Sequence, residues 1–154
     1  MFHAINKKRS GENKFRSKFT PNQVHNMMRD LLSAVSTMHH NGIIHRDLKF
    51  ENIKFLKKGV YDNIKIYDFG SACLHPPGSD KKHYDLAGSP YFAAPEMLSR
   101  KGYNEKVDVW SCGIIFFYLL IGSFPFDAKD DIEIMHKIQS TEITYVGKRF
   151  QNIN

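Results

Sequence analysis

The 154-residue chain is poor in cysteine. Its two thiols, Cys73 and Cys112, can build neither a disulfide framework nor a four-thiolate zinc site. It also lacks a long apolar run. The longest stretch, Val109 to Ile121, is interrupted by Ser111 and falls short of the ~20 apolar residues that a bilayer span needs. Nothing after Met1 resembles the apolar core of a secretory signal, and Phe2 stands where N-myristoylation requires glycine. A reducing, intracellular and by default cytoplasmic setting is expected, with no membrane partner. Glycine is scarce early: Gly11 is the only one before Gly42. What remains is ordinary globular composition, 42% hydrophobic and 25% charged. That excludes disordered, collagen-like and low-complexity classes, and the length fits one domain or part of one.

The net charge of +6 is unevenly spread. Lys7, Lys8, Arg9, Lys14, Arg16 and Lys18 face a single acid, Glu12, so the excess sits in a basic loop at 4–19. A solvated loop explains it before a polyanion-binding patch or a basic presequence does. Aromatic interleaving of the kind Phe2 and Phe15 offer is too sparse to stack on bases, so a nucleic-acid partner is not expected.

The spacing predicts a helix over 21–40. Thr20 serves as N-cap, Pro21 suits the first turn and Gln23 completes a capping box. Val24, Met27, Met28, Leu31, Leu32, Val35 and Met38 share one face, and Gly42 supplies the left-handed stop. Ile43–Ile44 reads as a brief strand. Segments 52–56 and 63–67 read as antiparallel strands around Lys58-Gly59. Residues 71–93 read as a long loop, of the kind that is usually functional. A helix over 106–121 is apolar nearly all round, which predicts burial on every side. A last helix over 130–139 places Ile132, Met135 and Ile138 inward, and the tail after Ser140 is weakly patterned. The chain is mainly α (α+β), with short strand pairs.

Chemistry concentrates in His45-Arg46-Asp47-Leu48-Lys49-Phe50-Glu51-Asn52. This turn offers a carboxylate and an amide at fixed offset. Sixteen residues past Asn52 comes Asp68-Phe69-Gly70, and the long loop ends in Ala94-Pro95-Glu96. Three ordered motifs of this kind, H-R-D-L-x-x-x-N, D-F-G and A-P-E, resemble the signature set of protein kinases. The stretch from Tyr103 to Gly113 and Gly122-Ser123-Phe124-Pro125-Phe126 resemble the buried helix and following turn of Ser/Thr kinases. The likeness is to the calcium/calmodulin-dependent and calcium-dependent protein kinases, over nearly the whole chain. It implies a partial kinase domain over 1–154, its C-terminal lobe, with an activation segment at 68–96.

The resemblance implies roles residue by residue. Asp47 would orient, or take the proton from, a Ser/Thr hydroxyl of a protein substrate. Lys49 would sit near the transferred phosphate of ATP. Asn52 and Asp68 would hold Mg2+, for which their oxygens are suitably hard ligands. Ser89 would contact Asp47 and Lys49. His45 would pack beneath Phe69, and Asp108 would bond to the catalytic-loop backbone. Arg46 implies an anionic partner, and Asp85 stands at the common phosphorylation position, already negative. Glu51 matches the acid that selects basic residues upstream of the target hydroxyl. Glu96 would pair with an Arg near the end of the domain, and the context of Arg149 does not match that Arg.

Departures are equally specific. No glycine-rich phosphate loop, Val-Ala-x-Lys strand or partner Glu is present, so an N-terminal lobe or partner is expected to supply them. Little activity is then expected of the chain alone. Phe50 replaces a proline, Lys54 stands at the apolar floor under adenine, and Tyr67 is bulkier than usual. A non-catalytic kinase-lobe scaffold is the alternative reading. No EF-hand loop occurs, so calcium control is not encoded in these residues.

Overall fold

The computed structural model describes residues 19–57, 59–61 and 63–143. Lys58, Arg149 and all of the basic loop but Phe19 lie outside them.

Helix α1 spans Pro21–His40. Thr20 Oγ1 accepts the Gln23 N–H and the Gln23 side chain accepts the Thr20 N–H, closing the expected capping box. Val24, Met27, Leu31, Val35 and Met38 are buried, whereas Leu32 is 46% exposed and leaves the expected face. Gly42 follows with φ 72°, a left-handed exit that only glycine enters freely.

Two small antiparallel pairs form. Strand β1 (Ile43–Ile44) pairs with β4 (Cys73–Leu74), and β2 (Ile53–Phe55) pairs with β3 (Ile64–Ile66). The long loop expected over 71–93 thus starts with a strand. It ends in a 3-10 turn at Pro90–Phe92, and Pro95 opens a short helix, α2 (Pro95–Leu98).

Helix α3 (Lys106–Ile121) lies against α1 in the core. Ile115 and Leu119 meet the α1 stripe together with Leu48 and Phe50. Its expected burial on every side does not hold. Val109 and Phe116, seven residues apart on one face, are 51% and 43% exposed. The apolar sequence could not reveal which face α1 would take. Helix α4 (Asp131–Ser140) is capped by Asp130 and buries Ile134 and Ile138. Ile132 points outward at 76% exposure, because the i, i+4 pair of isoleucines takes the inner face. A second cluster of Ile44, Ala94, Met97, Tyr103 and Val107 joins β1, α2 and the start of α3. No helix among the described residues is long and apolar enough to cross a membrane.

Candidate functional site

The turn from His45 to Asn52 is held from below by α3. Asp108 has no solvent exposure, and its carboxylate accepts three bonds. The His45 N–H donates at 2.8 Å, the Arg46 N–H at 2.9 Å, and His39 Nε2 from α1 lies at 2.9 Å. A buried carboxylate needs such donors, because an unpaired one would be expelled or protonated. Arg46 takes φ 68°, a left-handed conformation that a non-glycine residue keeps only when its surroundings enforce it.

His45 is also fully buried. Its Nδ1 accepts the Asp47 N–H at 3.2 Å and its Nε2 donates to the Tyr67 carbonyl at 3.0 Å. Its ring centroid lies 5.0 Å from that of Phe69. One side chain therefore ties the turn to the segment that carries Asp68.

Asp47, Lys49 and Ser89 form a closed polar cluster. Lys49 Nζ donates to Asp47 Oδ2 at 2.8 Å and to Ser89 Oγ at 2.9 Å. Ser89 Oγ donates to Asp47 Oδ1 at 3.0 Å. Asn52, 5% exposed, turns its Nδ2 toward the Asp47 carbonyl at 2.9 Å and the Asp47 carboxylate at 3.3 Å. That orientation turns Nδ2 rather than Oδ1 toward Asp47.

The β2–β3 ladder brings Asp68 close in register. The Tyr67 N–H donates to the Asn52 carbonyl at 2.8 Å, one residue before Asp68. Asp68 itself has φ 62°, and its carboxylate accepts the Gly70 N–H at 3.3 Å. Asp68 is exposed, and among the described residues no three acidic, His or Cys side chains converge as a ready metal cage.

Arg46 reaches the other way. Its Nε donates to the Ser71 carbonyl at 2.6 Å, and its Nη1 donates to the Tyr103 hydroxyl at 3.0 Å and to the Asp85 carboxylate. Burial alone would lower the guanidinium, but the bonds to Tyr103 and Asp85 outweigh it and raise it. A backbone hydrogen bond and the Arg46 contact hold the Asp85 carboxyl below its ordinary value. Gly88 makes the close approach possible. With φ 83°, a Cβ there would lie 2.3 Å from the Arg46 carbonyl oxygen.

Residues 3–153 match the family described as "Protein kinase domain". The chain belongs to the protein kinase domain family. Similar proteins include a calcium/calmodulin-dependent protein kinase type I of Schizosaccharomyces pombe, 38% identical over 122 residues. That match covers 77% of this chain and 36% of the relative. CBL-interacting protein kinase 17 of Oryza sativa is 40% identical over 125 residues, 80% of this chain and 27% of the relative. Calcium-dependent protein kinase 3 of Oryza sativa is 34% identical over 139 residues, 90% of this chain and 25% of the relative. The chain thus spans a quarter to just over a third of the curated relatives it matches.

Within this kinase-family chain, the departures have physical answers. Phe50 is buried at 6%, with its ring 5.8 Å from Phe92 and 5.1 Å from Tyr118, so core packing takes the place of a proline restraint. Lys54 is exposed, and its Nζ sits 4.5 Å from the centroid of the exposed Tyr67 ring. The two unusual residues are partners in a cation–π contact. Glu51 is exposed and Glu96 half-buried, and Glu96 makes no ion pair among the described residues. Sequence reasoning missed Tyr103, His39 and Ser71. Tyr103 is 1% exposed, and its hydroxyl donates to the Asp85 carbonyl at 2.9 Å. Its one advance signal was an aromatic residue just ahead of the buried helix.

Proposed function

We propose that this chain forms the catalytic-loop half, the C-terminal lobe, of a Ser/Thr protein kinase that transfers the γ-phosphate of ATP to a protein hydroxyl. The hydrogen-bonded cluster of Asp47, Lys49 and Ser89 carries the reading. A turn carboxylate that merely satisfied its own backbone would not need a lysine on one oxygen and, on the other, a serine from 42 residues away.

Asp47 is the group that orients the substrate hydroxyl and takes its proton as the new O–P bond forms and the bond to the leaving ADP breaks. Its oxygens already engage Lys49 and Ser89, and a carboxylate retains lone pairs for a further donor. Lys49, fixed beside Asp47, supplies positive charge where phosphate oxygens gather. Asn52 Oδ1 and the Asp68 carboxylate are hard oxygen donors and suit Mg2+, and these two residues would hold it. Bound Mg2+ would neutralise phosphate charge. Ser89 and Lys49 keep Asp47 in place, and the Arg46–Asp85 contact stands in for a phosphorylated activation segment at 68–96. Glu51, exposed beside the cluster, favours peptides with a basic residue upstream. A reducing cytoplasmic setting agrees with the free thiols of Cys73 and Cys112.

Phosphoryl transfer in this family needs a glycine-rich loop and a paired lysine as well, and this sequence contains neither. The isolated chain is therefore expected to show little activity. Purified 1–154 would be incubated with Mg2+-ATP and a basic Ser/Thr peptide. Phosphate incorporation near background agrees with the proposal, and robust incorporation would refute the half-site reading.

A further inference from the structure

A second polar cluster lies outside the Asp47 site. It joins Cys73 on β4, His75, His83 and Glu105 at the start of α3. The two histidines are buried, at 5% and 8% exposure, and face each other with His75 Nδ1 3.3 Å from His83 Nε2. The outer ends are also engaged. His75 Nε2 lies 3.2 Å from Glu105 Oε2, and Cys73 Sγ lies 3.6 Å from His83 Nδ1. The backbone anchors both rings. The His75 N–H donates to the Gly42 carbonyl at 2.7 Å, and His83 and Tyr103 exchange backbone bonds of 3.0 and 2.9 Å.

Cys73 Sγ also lies 3.8 Å from His83 Nε2, and with neutral imidazoles one proton arrangement satisfies the Glu105–His75–His83 contacts and turns His83 Nδ1 to the thiol. An ionised Glu105 can only accept, so His75 carries its proton on Nε2. His75 Nδ1 is then bare and accepts from His83 Nε2–H. His83 Nδ1 is bare in turn and accepts the Cys73 S–H. Burial pushes the Cys73 thiol up, which agrees with a protonated donor at that end.

We propose that this Cys73–His83–His75–Glu105 chain of hydrogen bonds is an acid-sensitive latch that holds residues 75–85 against α3 and opens when an imidazole takes up a proton. A proton added to His83 Nδ1 displaces the Cys73 S–H and leaves the new N–H only the thiol sulfur, a weak acceptor, for a charge that is buried. Burial disfavours a charged His83 first, and Lys81, His75 and Arg46 add to that, against Asp85, so the His83 imidazole lies below its ordinary 6.5. Tyr103 faces the same ring, its centroid 5.8 Å away, Glu105 faces His75, and Asp108 adds its charge near Cys73. The sign follows. Above 6.5 both the latched and the released imidazole are neutral, and the latch stays closed. As pH falls below 6.5, the released form takes up a proton more readily than the latched one, and the equilibrium moves toward release. Asp85 lies two residues from His83, so release frees the carboxylate that engages Arg46.

The test needs no phosphoryl transfer and so is separate from the proposed activity. The histidine side-chain nitrogens of the 15N-labelled 154-residue chain are followed by NMR from pH 7.5 to 5. The latch requires the Nε2–H tautomer on both His75 and His83 at pH 7.5. It also requires a His83 midpoint below 6.5, with the amides of His83 and Tyr103 moving in the same transition. In a His75→Gln/His83→Gln double variant, whose amides donate and accept but do not titrate, the amides of residues 83 and 103 should hold steady across that range. An Nδ1–H tautomer on His83, or an unchanged acid transition in the double variant, would overturn the proposal. Should the double variant not fold, the His83 tautomer in the native chain decides.

Discussion

Asp108 holds Arg46 in a left-handed backbone: Oδ1 of the buried carboxylate accepts the Arg46 N–H at 2.9 Å while Arg46 sits at φ 68°. The same carboxylate takes the His45 N–H and His39 Nε2, so one side chain from α3 sets the start of the turn that carries Asp47. Asp108→Ala leaves buried donors without an acceptor. A loss of about 3–5 kcal/mol in unfolding stability is expected, read by urea denaturation. Asp108→Asn keeps the shape but turns one end of the carboxylate into a donor, and should also destabilise. Unchanged midpoints in both variants would remove Asp108 from this role.

Gly88→Ala is predicted to push the 68–96 segment off the His45–Asn52 turn. Its Cβ would sit 2.3 Å from the Arg46 carbonyl oxygen, and the neighbour is backbone that cannot swing aside. Left-handed strain adds roughly 1–2 kcal/mol. The signature is loss of the Ser89 contacts to Asp47 and Lys49, visible as altered amide shifts at those residues. A variant with native shifts and native stability would contradict this.

Asp85→Asn removes the anion that engages Arg46. In a domain completed with a glycine-rich lobe it should lower the rate of peptide phosphorylation about tenfold, or ~1.4 kcal/mol of barrier. Because the Asp85 carboxyl is held below 3.8, its pairing is fully present above 3.8 and is lost as pH falls through the lower folded value. Asp85 is largely exposed, so the effect on global stability should be small even where the effect on rate is not. An unchanged rate would mean that Asp85 is a solvated loop acid.

The thiols should behave differently. Cys112 is buried in α3 and its thiol is pushed up to about 12 by burial. It should stay unmodified by iodoacetamide at pH 8 until the protein is unfolded. Cys73, partly buried and also raised, should react slowly in the native state. Peptide mass mapping distinguishes the two, and labelling of native Cys112 would contradict its placement.

The sequence made the two long helices readable because each announces itself locally. Thr20 and Gln23 mark the start of α1, and an apolar run broken only by Ser111 marks α3. Strand β4 was hidden for the opposite reason. Two residues, Cys73 and Leu74, carry no period, and their partners Ile43 and Ile44 lie thirty residues back. The α4 face was misread at Ile132 because four apolar residues in seven positions permit more than one stripe, and packing chose Ile134 and Ile138. At the site, motif spacing named Asp47, Asn52 and Asp68. It could not name His39 or Tyr103, whose contacts to Asp108 and Arg46 exist only once distant segments meet. Nor did Lys54 and Tyr67 declare that they would face each other across a strand pair.

Phosphorylation of a basic Ser/Thr peptide by this chain completed with a lobe that supplies the glycine-rich loop and paired lysine, and by the Asp47→Asn variant of that completed domain, is the most direct test. Both would be assayed with Mg2+-ATP after matched melting temperatures establish that both are folded. Loss of a positioned proton acceptor should reduce kcat by about 10²–10⁴. An active wild type and a folded variant slowed by that factor is the predicted result. A folded Asp47→Asn variant that phosphorylates as fast as the wild type would contradict it, and so would an inactive wild type.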